Sequence, residues 1–214
     1  ENMTRGPWVI SKVSKPFGRD SQMHDSSFGW RFINPKMKKM YGIDSMGNTA
    51  ENLASKYNIS REDQDKFAYN SQMKASLARK KGRFTNEIVS VEIPQRKKDP
   101  IIFSEDEFIK DKTSIEILSK LRTAFKSENG TVTAGNASGL NDGSAAMLLA
   151  SEKGVKDNNL TPIARIVSSA VVGVEPSIMG IGPVLASNKA LEKVNLKMDD
   201  MDIIELNEAF SAQA

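Results

Sequence analysis

The 214-residue chain contains no cysteine and only one histidine, His24. Without cysteine, these residues can form no disulfide, no cysteine-based zinc site and no thiolate nucleophile. His24 lies in a polar segment with no second ligand at metal-binding spacing, so we expect no metal site. No apolar run approaches the roughly 20 residues of a membrane-spanning helix, and no segment resembles a secretory signal peptide. We therefore expect a cytoplasmic protein with no membrane partner.

The charge balance is nearly neutral, with a net charge of +3. Such a weak basic excess suits phosphate-bearing ligands but is too small to predict nucleic-acid binding. The glycine-rich segment 130–143 lacks both the Walker lysine spacing and the GxGxxG pattern, so it predicts no nucleotide-binding loop. We expect neither a nucleic-acid partner nor a resident cofactor.

The two halves of the chain differ in their hydrophobic patterns. In the first half, Asn48 and Ser60 are candidate N-caps of two helices, the second running from Arg61 to about Lys81 and ending at Gly82. In the second half, three apolar runs predict buried strands, and a helix is predicted from Pro183 to Val194; the runs are 145–150, 163–174 and 201–206. This alternation of strands and helices predicts an α/β fold, with a helical insertion in the first half.

The last twelve residues combine a β-branched run with a polar turn and the predicted start of a helix. Asn207 would lie at the C-terminal edge of the strand and beside the helix N-terminus, where free N–H groups favour anionic ligands. The alternative is that Asn207 is only a helix cap. Segment 130–143 has small residues that would let the backbone approach a ligand closely, or it is simply a packed loop.

Five stretches of this sequence are similar to thiolase motifs, in the family's order. The segment NEAF at 207–210 resembles the thiolase motif of the same letters, and VTAGNASGLNDGSAA at 132–146 resembles the thiolase loop and helix. The other three stretches are 1–7, 44–54 and IMGIGP at 178–183. The resemblance extends over the whole chain and implies part of a thiolase-like βαβαβαββ α/β core with an inserted, mainly helical loop domain.

The same resemblance implies a domain organisation. Residues 1–10 would end the N-terminal thiolase half, 11–138 would form the loop domain, 139–160 would complete the N-terminal half, and 161–214 would begin the C-terminal half. In the family, the nucleophilic cysteine, a GHP histidine and a second cysteine come from regions before and after these. We therefore expect the chain to be an internal fragment.

The resemblance also implies the roles of individual residues. Asn207 would be catalytic, holding a water in an oxyanion hole, and the hydroxyl of Ser138 and a carbonyl near Ala134 would bind the pantetheine amides. Lys110 stands where the family has an adenine-stacking arginine, and lysine lacks the planar guanidinium that stacks. The complete set of implied substrate-binding residues is Met46, Gln72, Lys110, Phe125, Ala134, Ser138, Met179, Ala209 and Phe210.

The implied activity is that of a CoA-dependent thiolase, an acyltransferase that cleaves a 3-oxoacyl-CoA with CoA to acetyl-CoA and a shortened acyl-CoA, or runs the reverse Claisen condensation. The CoA thioester is then a substrate, and the complete protein would be a homodimer or homotetramer. Segments 27–35 and 94–100 resemble the 3-oxoadipyl-CoA branch, where Arg31 or the basic run 96–98 would face a substrate carboxylate or would be plain surface charges.

Two other functions fit the same residues. One is a truncated, non-catalytic module that binds CoA or mediates assembly. The other is a decarboxylating condensing enzyme of the same fold, which the pairing of the NEAF and IMGIGP motifs disfavours.

Overall fold

The chain in the computed structural model, which describes residues 1–27 and 29–214, folds as two units that alternate along the sequence. The first unit comprises Glu1–Asn52 and Leu140–Leu206. The second comprises Leu53–Gly139 and Asn207–Ala214. The thiolase domain boundaries expected from the sequence stay a prediction.

Helices form most of the regular structure. The α-helices, in chain order, are α1 (Pro35–Tyr41), α2 (Met46–Tyr57), α3 (Arg61–Lys80), α4 (Ile115–Ser119), α5 (Glu152–Asp157) and α6 (Gly182–Glu192). Two 3-10 helices cover Pro176–Ile181 and Met198–Asp200. The strands are β1 (Trp8–Ile10), β2 (Met23–Asp25), β3 (Val91–Ile93) and β4 (Ile101–Phe103), in the antiparallel pairs β1–β2 and β3–β4.

The ends of the long helices follow from local capping chemistry. The Ser60 hydroxyl accepts a hydrogen bond from the Asp63 N–H at 3.0 Å, and Gly82 has φ of +70° just beyond α3, as predicted. The predicted cap at Asn48 is wrong, because α2 begins at Met46. The Ser45 hydroxyl accepts from the Asn48 N–H at 3.3 Å, so the serine supplies the cap one turn earlier.

The second unit has an interior that mixes small apolar and polar side chains. Its buried apolar residues are Leu53, Ala54, Ala68, Leu118, Val132 and Ala212. Its buried polar residues are Gln64, Asp65, Ser76, Thr133 and Asn136. Polar groups removed from water need hydrogen-bond partners. The interior of this unit is therefore organised by specific polar contacts as well as by packing.

The three predicted strands of the second half are not strands in the part of the chain that the structure describes. Runs 145–150, 163–174 and 201–206 carry no assigned strand pairing. Their apolar side chains are exposed, with Met147 at 85%, Ile163 at 102% and Ile203 at 80%. A strand is defined by the neighbour that bonds its N–H and C=O groups, and no described segment pairs with these runs.

Two further features bear on function. Within residues 1–27 and 29–214, no helix has both the length and the apolarity needed to cross a bilayer. In the same residues, no group of three or more histidine, cysteine or acidic side chains is arranged to hold a metal ion.

The His24 ring packs edge-on against Phe32, with centroids 5.3 Å apart.

Candidate functional site

A hydrogen-bonded turn at residues 131–136 is the centre of the candidate site in the second unit. The Asn136 side-chain oxygen accepts from the Thr133 N–H at 2.7 Å, and its amide nitrogen donates to the Thr131 carbonyl at 3.0 Å. The Thr133 hydroxyl accepts from the Gly135 N–H at 3.1 Å. Because these contacts fix the backbone on both sides of Ala134, that residue has a defined place at the tip of the turn.

The segment 207–214 is hydrogen-bonded directly to this turn. The Ser211 N–H donates to the Asn136 carbonyl at 2.9 Å, and the Ser138 N–H donates to the Ala209 carbonyl at 2.9 Å. Between these two bonds, Ala137 and Phe210 form an antiparallel bridge. Two stretches that are some 70 residues apart in sequence therefore meet as a short ladder, which brings Ser138 next to Ala209.

Aromatic packing adds a further predicted residue to the same region. Phe125 and Phe210 meet edge to face, with ring centroids 6.0 Å apart and planes at 80°. This geometry is favoured by the ring quadrupoles. Five of the predicted substrate-binding residues are thus gathered in one place in the second unit: Phe125, Ala134, Ser138, Ala209 and Phe210.

Gln72 and Lys110 are brought together as a second group. The Gln72 side-chain oxygen accepts from the Lys110 N–H at 2.7 Å, so α3 holds the loop that carries the lysine. The Lys110 ammonium group donates to the Glu107 carbonyl at 3.0 Å and lies 5.4 Å from the centre of the Phe108 ring. Within residues 1–27 and 29–214 the lysine forms no ion pair with an acidic side chain, so its charge is available to attract an anion.

Asn207 is exposed, and its local structure differs from the prediction. The preceding run is not a strand, and the residues that follow form a turn in which the Ala214 N–H donates to the Phe210 carbonyl at 3.1 Å. That bond from residue 214 to residue 210 closes one helical turn, which begins at Phe210 and not at Asn207. Asn207 is therefore not a helix cap in the described residues. The neighbouring Glu208 carboxylate accepts from the Ser71 hydroxyl at 2.5 Å, which ties this segment to α3.

The two predicted methionines belong to the first unit. Met46 is the first residue of α2, and Met179 lies in the 3-10 helix Pro176–Ile181. The Asn52 amide connects these elements, because it donates to the Asp44 carboxylate at 3.0 Å and to the Ser177 carbonyl at 2.9 Å. A mainly apolar cavity of about 300 Å³ opens here, lined by Trp30, Met37, Tyr41, Gly42, Asp44, Thr49, Pro176, Ser177 and Met179. Met46 is not among the lining residues.

Arg31 and the run 96–98 are the basic residues that were considered as partners of a substrate carboxylate. The Arg31 guanidinium donates to the backbone carbonyls of Ser26 and Gly29, at 3.1 and 2.9 Å. The run 96–98 lies in the exposed connection between β3 and β4. Phe28, in the stretch that resembles the 3-oxoadipyl-CoA branch, lies outside the described residues.

Asp142, in the first unit, is a carboxylate with a shifted pKa. The Thr4 hydroxyl donates to Asp142 at 2.6 Å and the Thr4 N–H donates at 3.0 Å. The hydroxyl is the larger cause and the amide the second, and together they hold the pKa of Asp142 below its ordinary value of 3.8. Asp142 is fully exposed, and this contact fastens the segment after residue 140 to the first residues of the chain.

Several residues that organise the site were missed by the sequence reasoning. Asp65 and Asn136 are buried and bonded to each other at 2.9 Å, and Ser71 binds Glu208. Asn136 carried a partial signal, because it lies in the densest stretch of small residues. Asp65 carried none, because a charged residue on a polar helix normally faces solvent.

Comparison with known families identifies the chain's relatives. The model of the thiolase N-terminal domain matches residues 1–153, and that of the thiolase C-terminal domain matches residues 160–214. The chain belongs to the thiolase family. A "Beta-ketoadipyl-CoA thiolase" of Acinetobacter baylyi is 52% identical over 214 residues, and a "3-oxoadipyl-CoA/3-oxo-5,6-dehydrosuberyl-CoA thiolase" of Escherichia coli K12 is 48% identical. Each alignment covers all of this chain and 53% of the relative, so the chain spans about half the length of these relatives.

Solved structures agree with this assignment. An acetyl-CoA acetyltransferase of Bacillus anthracis has a TM-score of 0.83 and 41% identity, over all of this chain and 52% of that one. Human mitochondrial 3-ketoacyl-CoA thiolase has a TM-score of 0.82 and 41% identity, over 99% and 52% of the two chains. The expected thiolase-like α/β fold class is thereby confirmed. The unpaired runs of the second half lie within the part of the chain that the first of these structures matches.

Proposed function

We propose that this chain is the central part of a thiolase that transfers an acyl group between a 3-oxoacyl-CoA and CoA. The observation that carries the proposal is the short ladder between 136–138 and 209–211, with the Phe125–Phe210 pair beside it. It gathers five residues that were expected to bind substrate from motif resemblance alone. A binding site requires that distant motifs meet in this way, whereas a loop that is merely packed does not require it.

In the proposed reaction, a cysteine thiolate attacks the C3 ketone carbon of the 3-oxoacyl-CoA. The C2–C3 bond then breaks, and its electron pair leaves as the enolate of acetyl-CoA, which takes a proton at C2. The resulting acyl-cysteine thioester is attacked by the thiolate of free CoA, which releases the shortened acyl-CoA and restores the cysteine thiolate. The cysteine is not among these 214 residues, so this part of the protein contributes binding and electrostatic stabilisation.

Asn207 is proposed to act on the enolate oxygen. Through a bound water, its side-chain amide would donate toward the negative charge that develops on the thioester oxygen. A preorganised donor of this kind typically contributes about 3 to 4 kcal/mol to the transition state. The exposed position of Asn207 leaves that amide accessible to a water and a substrate.

The turn 131–136 and Ser138 are proposed to bind the pantetheine arm. Because the Ser138 N–H already bonds the Ala209 carbonyl, the serine hydroxyl is the group that would contact a pantetheine amide. The Ala134 carbonyl would accept from the second amide N–H. Phe125 and Phe210 supply an apolar wall, and burying the amides against it demands these hydrogen bonds. Gln72 positions Lys110 near the phosphates of CoA.

The proposed acyl group is a 3-oxo acid that ends in a second carboxylate. Support comes from two relatives, a beta-ketoadipyl-CoA thiolase and a 3-oxoadipyl-CoA/3-oxo-5,6-dehydrosuberyl-CoA thiolase, which are 52% and 48% identical to this chain. Arg31 and the run 96–98 are the candidate partners of that carboxylate. Met46 and Met179 are proposed to contact the substrate's apolar portion. The proposed setting is a cytoplasmic homodimer or homotetramer.

The test is an assay of the full-length gene product and of the 214-residue chain, each with CoA and either 3-oxoadipyl-CoA or acetoacetyl-CoA. Chromatography of the acyl-CoA products would show acetyl-CoA and the shortened acyl-CoA for the full-length protein only, with higher kcat/KM for 3-oxoadipyl-CoA. Turnover by the 214 residues alone would contradict the proposed need for an external cysteine. A full-length protein that binds CoA in calorimetry without turnover would instead be the non-catalytic module.

A further inference from the structure

The second unit contains a buried carboxylate that takes no part in the proposed reaction. Asp65, on α3, is 2% exposed. Its Oδ2 atom accepts from the Arg61 Nε–H at 2.8 Å, and its Oδ1 atom accepts from the Asn136 amide at 2.9 Å. A buried charge is costly unless it is paired and hydrogen-bonded, and Asp65 meets both conditions.

The cation of this pair is itself fixed. The Arg61 Nη2 group donates to the Leu118 carbonyl at 2.7 Å and to the Leu121 carbonyl at 3.1 Å, at the end of α4. The guanidinium therefore makes three directed contacts, and it presents its Nε–H to Asp65 at one angle only. This arrangement leaves the second carboxylate oxygen facing the turn at residues 131–136.

The carboxylate determines which way the Asn136 amide points. An ionised carboxylate only accepts hydrogen bonds, so the Asn136 nitrogen must face Asp65. The Asn136 oxygen then faces the Thr133 N–H, and the second amide hydrogen reaches the Thr131 carbonyl. In the flipped orientation, two acceptors would meet at Asp65 and two donors at Thr133. Asp65 thereby specifies the hydrogen bonds that close the turn.

The same residue connects the turn to the segment that carries the NEAF motif. The main-chain carbonyl of Asn136 accepts from the Ser211 N–H, and the ladder continues through Ala137 and Ser138 to Phe210 and Ala209. If the Asn136 side chain turned over, its bonds to Thr131 and Thr133 would be lost, and the peptide of Asn136 would be free to move. The positions of the Ser138 hydroxyl and the Ala134 carbonyl would then change together.

We propose that Asp65 is a positioning residue for CoA binding, which sets the turn 131–136 and the segment 207–211 through the orientation of the Asn136 amide. The inference rests on the proposed function, since it assigns these two segments to the pantetheine arm. A purely stabilising residue would predict a different outcome when altered. It would lower the amount of folded, active protein, and hence the apparent kcat, without changing KM for CoA.

The primary variant is Asp65→Asn in the full-length protein. The new amide has one acceptor for two donors, Arg61 and Asn136, so one of these bonds is lost with little change in shape. We expect KM for CoA to rise about tenfold, the effect of losing one charge-assisted hydrogen bond, with kcat within about twofold of the wild type. The matched control is Glu62→Gln, which removes an exposed carboxylate from the same helix and should leave both constants unchanged.

A double variant tests the direction of the bond. In Asp65→Asn combined with Asn136→Asp, the amide at position 65 donates to the carboxylate at position 136, which restores their contact while the Thr131 carbonyl loses its donor. KM should return to within about threefold of the wild type, because the contact between the two positions is recovered. A double variant with a KM no lower than that of Asp65→Asn would overturn the proposal.

Hydrogen–deuterium exchange gives a readout that needs no activity. In Asp65→Asn, exchange should rise at residues 131–138 and 207–211 and stay unchanged in α6 of the first unit. If Asp65→Asn does not fold, the milder Arg61→Lys is measured in the same way. Unchanged exchange at both segments in a folded variant would refute the inference. If the wild type has no thiolase activity while exchange changes as expected, the proposed function fails and the positioning network stands.

Discussion

Gly135 offers the sharpest test of how tightly the turn at 131–136 is packed. A methyl group added there would lie 2.5 Å from the Leu118 Cδ2 atom and 2.5 Å from the Leu121 Cδ1 atom. Carbon atoms in favourable contact are about 3.5–4.0 Å apart, so Gly135→Ala forces two overlaps of about 1 Å or more. Leu118 is buried and held inside the unit, so it has little room to move.

The expected loss of unfolding free energy in Gly135→Ala is the difference between two effects. Overpacking a well-filled interior typically costs about 1–3 kcal/mol. Replacing glycine by alanine in a permitted backbone conformation returns about 0.4–1 kcal/mol by restricting the unfolded chain. The net destabilisation of the second unit should be about 1–2 kcal/mol. With a denaturant slope of about 2 kcal/mol per molar urea, the unfolding midpoint falls by roughly 0.5–1 M.

The assay is pulse proteolysis of the full-length protein across a urea series, with peptides from residues 53–139 quantified by mass spectrometry. Gly143→Ala is the matched control, because a methyl group there meets no atom within 4 Å, and it should be neutral or slightly stabilising. In a Leu121→Ala background, Gly135→Ala should cost less, since one of the two overlaps is gone. Equal midpoints for Gly135→Ala and Gly143→Ala would refute the packing argument.

Three other perturbations probe the chemistry, the aromatic pair and the acid response. Asn207→Ala in the full-length enzyme should lower kcat about 100-fold with little change in KM, because the lost interaction belongs to the transition state; an unchanged kcat would remove the asparagine from the mechanism. Phe125→Ala and Phe210→Ala, measured singly and together, should show a coupling free energy of about 0.5–1.5 kcal/mol, and additive effects would contradict the edge-to-face contact. Since hydrogen bonds from Thr4 lower the pKa of Asp142, their stabilisation should be complete above pH 3.8 and lost as the pH falls through the lower folded-state value. Exchange protection of the Thr4 amide should fall in that acidic range, and Asp142→Asn should abolish the transition.

Local chemistry made part of the fold predictable. The α3 helix begins and ends where its sequence indicates, because Ser60 and Gly82 act within one turn of the backbone they cap. The competition at α2 shows the limit of this reasoning. Ser45 and Asn48 are both good caps, and they are three positions apart. Which of them caps α2 depends on the conformation of the loop before the helix, which the local sequence does not fix.

The unpaired runs show why strands are harder to predict than helices. A helix satisfies its own backbone groups, whereas a strand depends on a neighbour that can be distant in sequence. Apolar content at 145–150 and 163–174 predicted burial, and both runs are largely exposed in the described chain. The hydrophobic pattern of a segment indicates that it can form a strand, and it does not show whether a neighbouring strand is present to bond with it.

The residues of the candidate site that lie in recognisable motifs could be predicted from the sequence. Those that are held by hydrogen bonds between distant parts of the chain could not. Resemblance placed Ser138, Ala209 and Phe210 in one site, and the ladder that joins them was found in the structure. Asp65 and Asn136 are separated by 71 positions. Nothing in either local sequence signals the other, because a carboxylate or an amide has the same place in the sequence whether it is buried and hydrogen-bonded or exposed to solvent.

The alternation of the two units along the chain imposes an order on its synthesis. The second unit needs the segment 207–214, which is made only after all of residues 140–206. At about 5–20 residues per second, roughly 4 to 15 s pass between synthesis of the turn at 131–136 and synthesis of the segment 209–211 that completes its ladder. Loops close in microseconds or less, so translation sets the pace of this step. During that interval the newly made run 145–150 exposes apolar side chains, which is the kind of surface that makes a folding chain prone to aggregate.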